Sequence, residues 1–261
     1  MRRLPALMLV LACLAAPPAR AAAACQAASG PLVRPLLELY TSEGCDSCPP
    51  AERWLAAQFA AADAAPRGIA LAFHVDYWDR LGWTDRFADA QYTARQYAMM
   101  HANGGAFVYT PQFLLQGRDF AGWRHADTTA IDRAARRRAG ATIAMDAVPG
   151  AREVIVHVDA RVAERAAAAD AQLFVAYADS GLVSNVEAGE NRGLRLAHDH
   201  VVRTLRLAGI AARDGHVAAT VKIPTPGERG AHPTLVAFVQ RASSGDVLQA
   251  LALPLDACRN R

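Results

Sequence analysis

The stretch that decides the fold is Leu36-Leu37-Glu38-Leu39-Tyr40-Thr41-Ser42-Glu43-Gly44-Cys45-Asp46-Ser47-Cys48-Pro49-Pro50. Residues 36–40 are apolar on both sides except for Glu38, the pattern of a strand buried in a parallel sheet. A short turn follows, then a Cys-x-x-Cys pair. Residues 51–62 are good helix formers, with Trp54, Leu55, Phe59 and Ala62 at helical spacing. Two such cysteines in a bare loop bind metal, form a local disulfide or do nothing. Between a buried strand and a helix start they sit where helix amides stabilise a thiolate. Cys45 is expected to be the more exposed sulfur and the nucleophile; Cys48 faces inward and resolves the mixed disulfide. Asp46 opposes thiolate formation at Cys45. Pro49-Pro50 disfavours helical geometry before each proline, so the regular helix is expected to start slightly after Cys48. Both features argue for a modest or reducing couple. Glu38 is either a proton acceptor for the inner thiol or a strand-end acid that meets solvent or an arginine.

Outward from this stretch, Pro66-Arg67-Gly68 breaks the helix and residues 69–75 read as a second buried strand. Residues 76–85 form a loop with Tyr77, Trp78 and Trp83. Thr84 or Asp85 is expected to cap a long helix carrying Phe87, Ala90, Ala94, Tyr97 and His101 on one stripe, and Asn103-Gly104-Gly105 stops it. Thr110-Pro111 leads into a strand at 112–116, with a short partner at 118–121. A helix from about residue 127 to Gly140 turns Ile131 and Ala134 inward. The alternation of strands and helices, closed by a hairpin, is the order of an α/β thioredoxin-like domain, a mixed sheet flanked by helices. In that order Pro111 opens the third strand beside the cysteine strand. A cis Thr110-Pro111 bond there lays the ring against the sulfurs and leaves a backbone edge for an extended substrate. Thr110, Trp78 and His74 are candidates for the substrate lip.

Beyond residue 140 the pattern changes. Segments 142–148, 153–159, 173–178, 217–223, 235–240 and 247–253 read as strands, several alternating apolar with polar residues and separated by turns such as Pro149-Gly150 and Ser244-Gly245. They predict a β-rich, sandwich-like portion. Within it Leu194-Arg195-Leu196 and Val201-Val202 are strands joined through His198-Asp199-His200. His198 and His200, two apart, share a strand face at metal-like spacing, with no third ligand identifiable. The expected organisation is a leader at 1–24, a thioredoxin-like domain at 25–140 and a β-rich domain at 141–261.

The leader rests on Arg2-Arg3, an apolar run at 4–16 too short to span a membrane, and small residues up to Ala24, the three-part pattern of a secretory signal. A lipoprotein signal acylated at Cys13 or Cys25 is the alternative. Removal of the leader leaves Cys25, Cys45, Cys48 and Cys258, an even number, as expected in an oxidising compartment. Cys25 and Cys258, at opposite ends of the mature chain, are a candidate structural disulfide, since termini often lie close together. The net charge of +3 over 261 residues, with no aromatic-interleaved basic stripe, argues against nucleic acid. No later stretch is long and apolar enough to span a bilayer.

The motifs carry a resemblance. Residues 36–139 look like a thioredoxin-fold domain. The 38–50 stretch, Phe73-His74-Val75-Asp76-Tyr77-Trp78 with Leu81-Gly82-Trp83, Tyr109-Thr110-Pro111-Gln112, Gly189-Glu190-Asn191 and His198-Asp199-His200-Val201-Val202-Arg203 together resemble the exported family catalogued as domain of unknown function 1223. The resemblance implies a thioredoxin-like domain followed by a β-rich portion, and supplies no substrate. The Trp-Cys-Gly-Pro-Cys of thioredoxin itself is absent. The functional expectation is an exported thiol–disulfide oxidoreductase, periplasmic or secreted. Its redox centre is the cysteine pair, with no other cofactor and no bound metal, and its partner is an exported protein or small thiol. The alternative is a module that binds copper or zinc, or carries a static disulfide.

Overall fold

The structure, a computed structural model, describes residues 25–60 and 67–258. The expected leader and the end of the first expected helix lie outside the described residues. After β1 (Cys25–Ala28), β2 (Leu36–Thr41) is buried at all six positions. Strand alternation decides what each of its faces meets. Leu37 and Leu39 pack with Ala51 and Leu55 of α1 (Cys48–Gln58). Leu36 and Tyr40 share the opposite face with Tyr92 and Met99 of α2 (Ala90–Ala102). β3 (Ile69–His74) runs parallel to β2 on one side. β4 (Gln112–Leu115) is antiparallel to β2 on the other, and β5 (Arg118–Asp119) closes the edge. α3 (Thr129–Ala135) adds Ile131 to the α1-side core.

The remaining strands are β6 (Ala141–Pro149), β7 (Glu153–Val162), β8 (Ala171–Asp179), β9 (Leu182–Asn185), β10 (Arg195–His198), β11 (Val201–Ile210), β12 (His216–Pro224), β13 (Thr234–Arg241) and β14 (Val247–Pro254), with the short α4 (Arg165–Ala168) after β7. Of these only β9 and β10 form a sheet of their own, an antiparallel pair. One eight-stranded sheet runs β14-β13-β8-β11-β3-β2-β4-β5, drawing on both sides of residue 140. Its joint is a parallel pairing: Val201 of β11 lies opposite Ala72 of β3, and the Ala72 amide donates to the His200 carbonyl at 2.8 Å. A second sheet, β1-β6-β7-β12, packs Ile143, Met145 and Val156 against Leu173, Val175 and Leu235 of the large sheet. The result is a strand-rich, mixed α/β protein with a sandwich at one end. β1, from the far side of residue 140, pairs with β6, and Cys25 is bonded to Cys258 with their Cα atoms 5.3 Å apart.

α2 departs from its expected form. It starts at Ala90, capped by Asp89, whose side chain accepts from the Gln91 amide. Neither Thr84 nor Asp85 is the cap, because Asp85 is consumed inside the protein, as described below. Its buried face is Tyr92, Gln96, Met99 and Met100, whereas Ala90, Ala94, Tyr97 and His101 face solvent. The apolar stripe misleads because two polar side chains of α2 have buried partners. Gln96 donates to the Tyr109 carbonyl and to Gln112. Arg95 reaches Glu38 of β2 through two bonds of 2.8 and 3.0 Å, its guanidinium among the rings of Phe73, Phe174 and Phe238. Burial opposes the charge on Arg95, but Glu38 and Tyr40 outweigh it and hold the guanidinium protonated.

A buried ion pair with one member removed leaves an uncompensated charge. Arg95→Leu is expected to lower unfolding free energy by about 3–5 kcal/mol in urea titration. Glu38→Leu/Arg95→Leu is expected to recover most of that loss.

Candidate functional site

The cysteine pair sits where β2 ends and α1 begins. After Thr41 the chain turns through Ser42, whose hydroxyl accepts from the Gly44 amide at 3.1 Å and whose carbonyl accepts from the Cys45 amide. α1 starts at Cys48 itself, with Pro49-Pro50 in its first turn. The prolines do not delay the helix, since first-turn amides have no intrahelical acceptor to lose. Cys45 and Cys48 are bonded to each other, with Cα atoms 5.4 Å apart. Both are 0% exposed, so the expected exposure of Cys45 is not found. The 186–194 segment between β9 and β10 is bonded to this turn. Asn191, itself buried, donates through Nδ2 to the carbonyls of Glu43 (2.8 Å) and Cys45 (2.9 Å), and Glu190 accepts from the Asp46 amide at 3.2 Å. Gly189, at φ +73°, gives the segment a left-handed bend against Trp83. Asp46 and Ser47 remain exposed.

Thr110, Pro111 and Trp78 lie beside this turn. The Thr110-Pro111 bond is cis, and β4 begins at the next residue. Trp78 stands on a 3-10 helix, Asp76–Leu81, and its Nε1 donates to Thr110 Oγ1 at 2.8 Å. A Cβ placed on Gly44 would come within 3.2 Å of Trp78 Cβ, so glycine lets the indole close on the cysteine turn. Thr110 and Trp78 are half-buried and Pro111 is buried.

Glu38 has a different place. Its neighbours Leu37 and Leu39 face α1, so Glu38 points to the opposite side of the sheet, where Arg95 and Tyr40 take its oxygens. It therefore pairs with an arginine and does not face Cys48 of α1.

His74 is also not a lip residue. It is 0% exposed and shares the α1 side of β3 with Ala70 and Ala72. There it belongs to a buried polar cluster. His74 Nδ1 lies 2.7 Å from Asp85 Oδ2, and Asp85 also accepts from the amides of Glu43 and Phe87. Burial alone would raise the Asp85 carboxyl, but His74 and these two amides hold it below the ordinary range. His198 Nδ1 lies 2.7 Å from Glu52 Oε2, and Glu52 Oε1 accepts from Thr41 at 2.6 Å. Glu43 Oε2 accepts from Trp83 Nε1 at 2.7 Å. Glu43 Oε1 stands 3.3 Å from His198 Nε2, an ion-pair distance, but neither atom makes a hydrogen bond. Burial works against charge on His198, yet Glu43 and Glu52 outweigh it and push its pKa up to about 10.

His198 and His200 do not share a face. β10 ends at His198, and His200 sits in the turn at φ +60° among Phe59, Gly68 and Ile69. The true neighbour of His198 is His74, 124 positions earlier, with ring centroids 5.2 Å apart. Neither Glu43 nor Glu52 was singled out by spacing. Their one available signal was charge within the Cys-x-x-Cys neighbourhood and one helical turn after Cys48.

Fold and site together describe a strand-rich α/β protein with an occluded Cys-x-x-Cys disulfide backed by buried carboxylates and imidazoles. The model of the family described as "Protein of unknown function (DUF1223)" matches residues 36–240, and the chain belongs to that family. Among solved structures it is similar to a protein of Agrobacterium tumefaciens determined by X-ray crystallography, at 28% identity and a TM-score of 0.60, over 86% of this chain and 96% of that one. It is also similar in fold to HBP35 of Porphyromonas gingivalis, at 16% identity and a TM-score of 0.61, over 87% of this chain and 77% of that one. No curated protein matches the chain.

The Asn191 clamp has a measurable consequence. Asn191→Ala removes two hydrogen bonds to the cysteine turn, each worth about 0.5–1.5 kcal/mol. It is expected to speed reduction of Cys45–Cys48 by dithiothreitol roughly ten-fold, read as alkylated thiols by mass spectrometry. Cys25–Cys258 is expected to reduce at an unchanged rate.

Proposed function

We propose that the chain is an exported thiol–disulfide oxidoreductase, with the portion around β2, β3 and β4 acting as a thioredoxin-like module. The observation that carries this reading is the bonded Cys45–Cys48 pair at the junction of a buried parallel strand and a helix, beside a cis Thr110-Pro111 bond that opens the antiparallel neighbour strand. A strand end feeding a helix start places amide dipoles next to a thiolate. The likeness in fold to two solved proteins supports the scaffold only. Export is supported by the three-part pattern of residues 1–24 and by two disulfides among the described residues, which suit an oxidising compartment.

In the reducing direction the Cys45 thiolate attacks a partner's disulfide, forming a mixed disulfide and releasing the first partner thiolate. The Cys48 thiolate then attacks Cys45 Sγ and releases the second. Two electrons pass from the pair to the partner, and the bond seen here is the product. The reverse direction starts from this bonded state. In either direction a buried sulfur must be uncovered, and the 186–194 segment, bonded to the cysteine turn through Asn191, is the part that would lift. A protein partner that displaces Asn191 would gain access that a small thiol lacks.

Equilibration of purified protein with glutathione buffers of graded ratio is expected to show a reversible two-electron couple at Cys45–Cys48. A Cys48→Ser variant produced with the leader intact is expected to accumulate a mixed disulfide with an envelope protein. No exchange in wild type or in Asn191→Ala would leave a static disulfide and sink the reading.

A further inference from the structure

The cluster behind the cysteine turn is built like an ion site. His74 and His198 each commit Nδ1 to a carboxylate, Asp85 and Glu52 respectively, both at 2.7 Å. At His74, whose Asp85 partner stands outside the ligand group, that arrangement fixes the imidazole and presents Nε2 to the cluster, as in carboxylate–histidine–metal triads. Both Nε2 atoms are buried and neither has a hydrogen-bond partner, nor does Glu43 Oε1. His198 Nε2 and Glu43 Oε1 at least face each other, whereas a buried His74 nitrogen with no partner is costly unless something joins it. One ligand atom each from His74, His198 and Glu52 lies within 4.8 Å of the others. Glu43 adds an oxygen 3.3 Å from His198 Nε2.

We propose that this cluster binds one divalent transition-metal ion, held by His74, His198 and Glu52, with Glu43 beside the His198 ring. Two imidazole nitrogens and carboxylate oxygens are a zinc-type donor set, and harder, all-oxygen cations are poorly matched to it. The cluster holds three carboxylates, Glu43, Glu52 and Asp85, against two imidazoles. A divalent ion offsets the excess of carboxylates and gives the unpartnered His74 nitrogen a partner. Phe87 sets its ring edge-on to both imidazoles, at 5.3 and 5.5 Å, and keeps the surroundings apolar. Glu52, with 10% of its side chain exposed, is the least buried of the three ligands. Cys45 and Cys48 are bonded to each other and donate nothing. The proposal does not rest on thiol–disulfide exchange.

The test uses the oxidised full-length mature protein. It is unfolded in guanidinium chloride with EDTA, its disulfides intact, then refolded with or without zinc chloride and desalted. Elemental analysis is expected to find one zinc per chain. Competition with a chromophoric chelator is expected to show His74→Gln and His198→Gln each weakening zinc by more than about 100-fold. Circular dichroism checks that each variant folds. Should a histidine variant fail to fold, the near-isosteric Glu43→Gln and Glu52→Gln variants carry the test, each with an expected loss of about ten-fold or more. Cys45→Ser/Cys48→Ser is expected to bind as wild type does. Zinc absent from wild type, or retained undiminished by folded His74, His198, Glu43 and Glu52 variants, overturns the site. So does binding only by reduced protein through Cys45 and Cys48. Because the measurement is made with the pair oxidised, failure of redox exchange leaves it intact.

Discussion

One parallel pairing holds the functional end of this protein together. β11 enters beside β3 at Val201, and the Ala72 amide bonds the His200 carbonyl. Without that pairing, β2–β5 and the β8-β13-β14 strands would be two separate sheets. With it, the chain just before β11 must lie over the α1 side of β3. That chain is β10 and its preceding segment, which bring His198 to His74, Asn191 to the Glu43 and Cys45 carbonyls, and Glu190 to the Asp46 amide. The second half of the sequence thus supplies the segment bonded to the cysteine turn and one of the two imidazoles in its buried polar backing. A parallel pair needs a long connection, and here the connection runs from His74 to Val201.

The two faces of the same short strands are given opposite electrostatic tasks. On the α2 side, Glu38 is neutralised by Arg95 inside a wall of aromatic rings. On the α1 side, Thr41 and His74 meet Glu52, Asp85 and His198 through hydrogen bonds that involve no arginine or lysine. The difference follows from strand alternation alone: shift the register of β2 by one residue and Glu38 would enter the α1 side. A buried charge with an arginine is a finished structural unit. A buried set of carboxylates and imidazoles with atoms left over is not.

Much of this was legible in the residues. The order of strands and helices through residue 135, the cysteine junction, the Thr110-Pro111 turn and the late alternating strands all follow from local pattern, because apolar period and Pro/Gly punctuation are local properties. What stayed hidden was non-local. The stripe on α2 looked to face the core at Ala90 and Ala94, because hydrophobic periodicity cannot see that Arg95 and Gln96 have buried partners. Asp85 looked like a helix cap, because nothing near it in sequence announces His74 or the Glu43 amide. His198 was paired with His200 by spacing, whereas its neighbour comes from a strand 124 positions away. The change of pattern at residue 140 was visible, but not that one sheet crosses it.

Glu43 draws these threads together, since every polar group it owns is engaged or poised. Its amide donates to Asp85, its carbonyl accepts from Asn191, one carboxylate oxygen accepts from Trp83, and the other stands at His198. It lies two residues before Cys45. The cysteine turn therefore has no independent conformation: it is tied at one residue to the covering segment, to the aromatic loop after β3 and to the buried imidazoles. Lifting Asn191 removes one tie and leaves the carboxylate ties in place. The cover can then open over the sulfurs while the backing stays fixed, so access and local geometry are set by different residues. That separation is what an occluded Cys-x-x-Cys needs if it is to open to a partner without losing the surroundings that tune it.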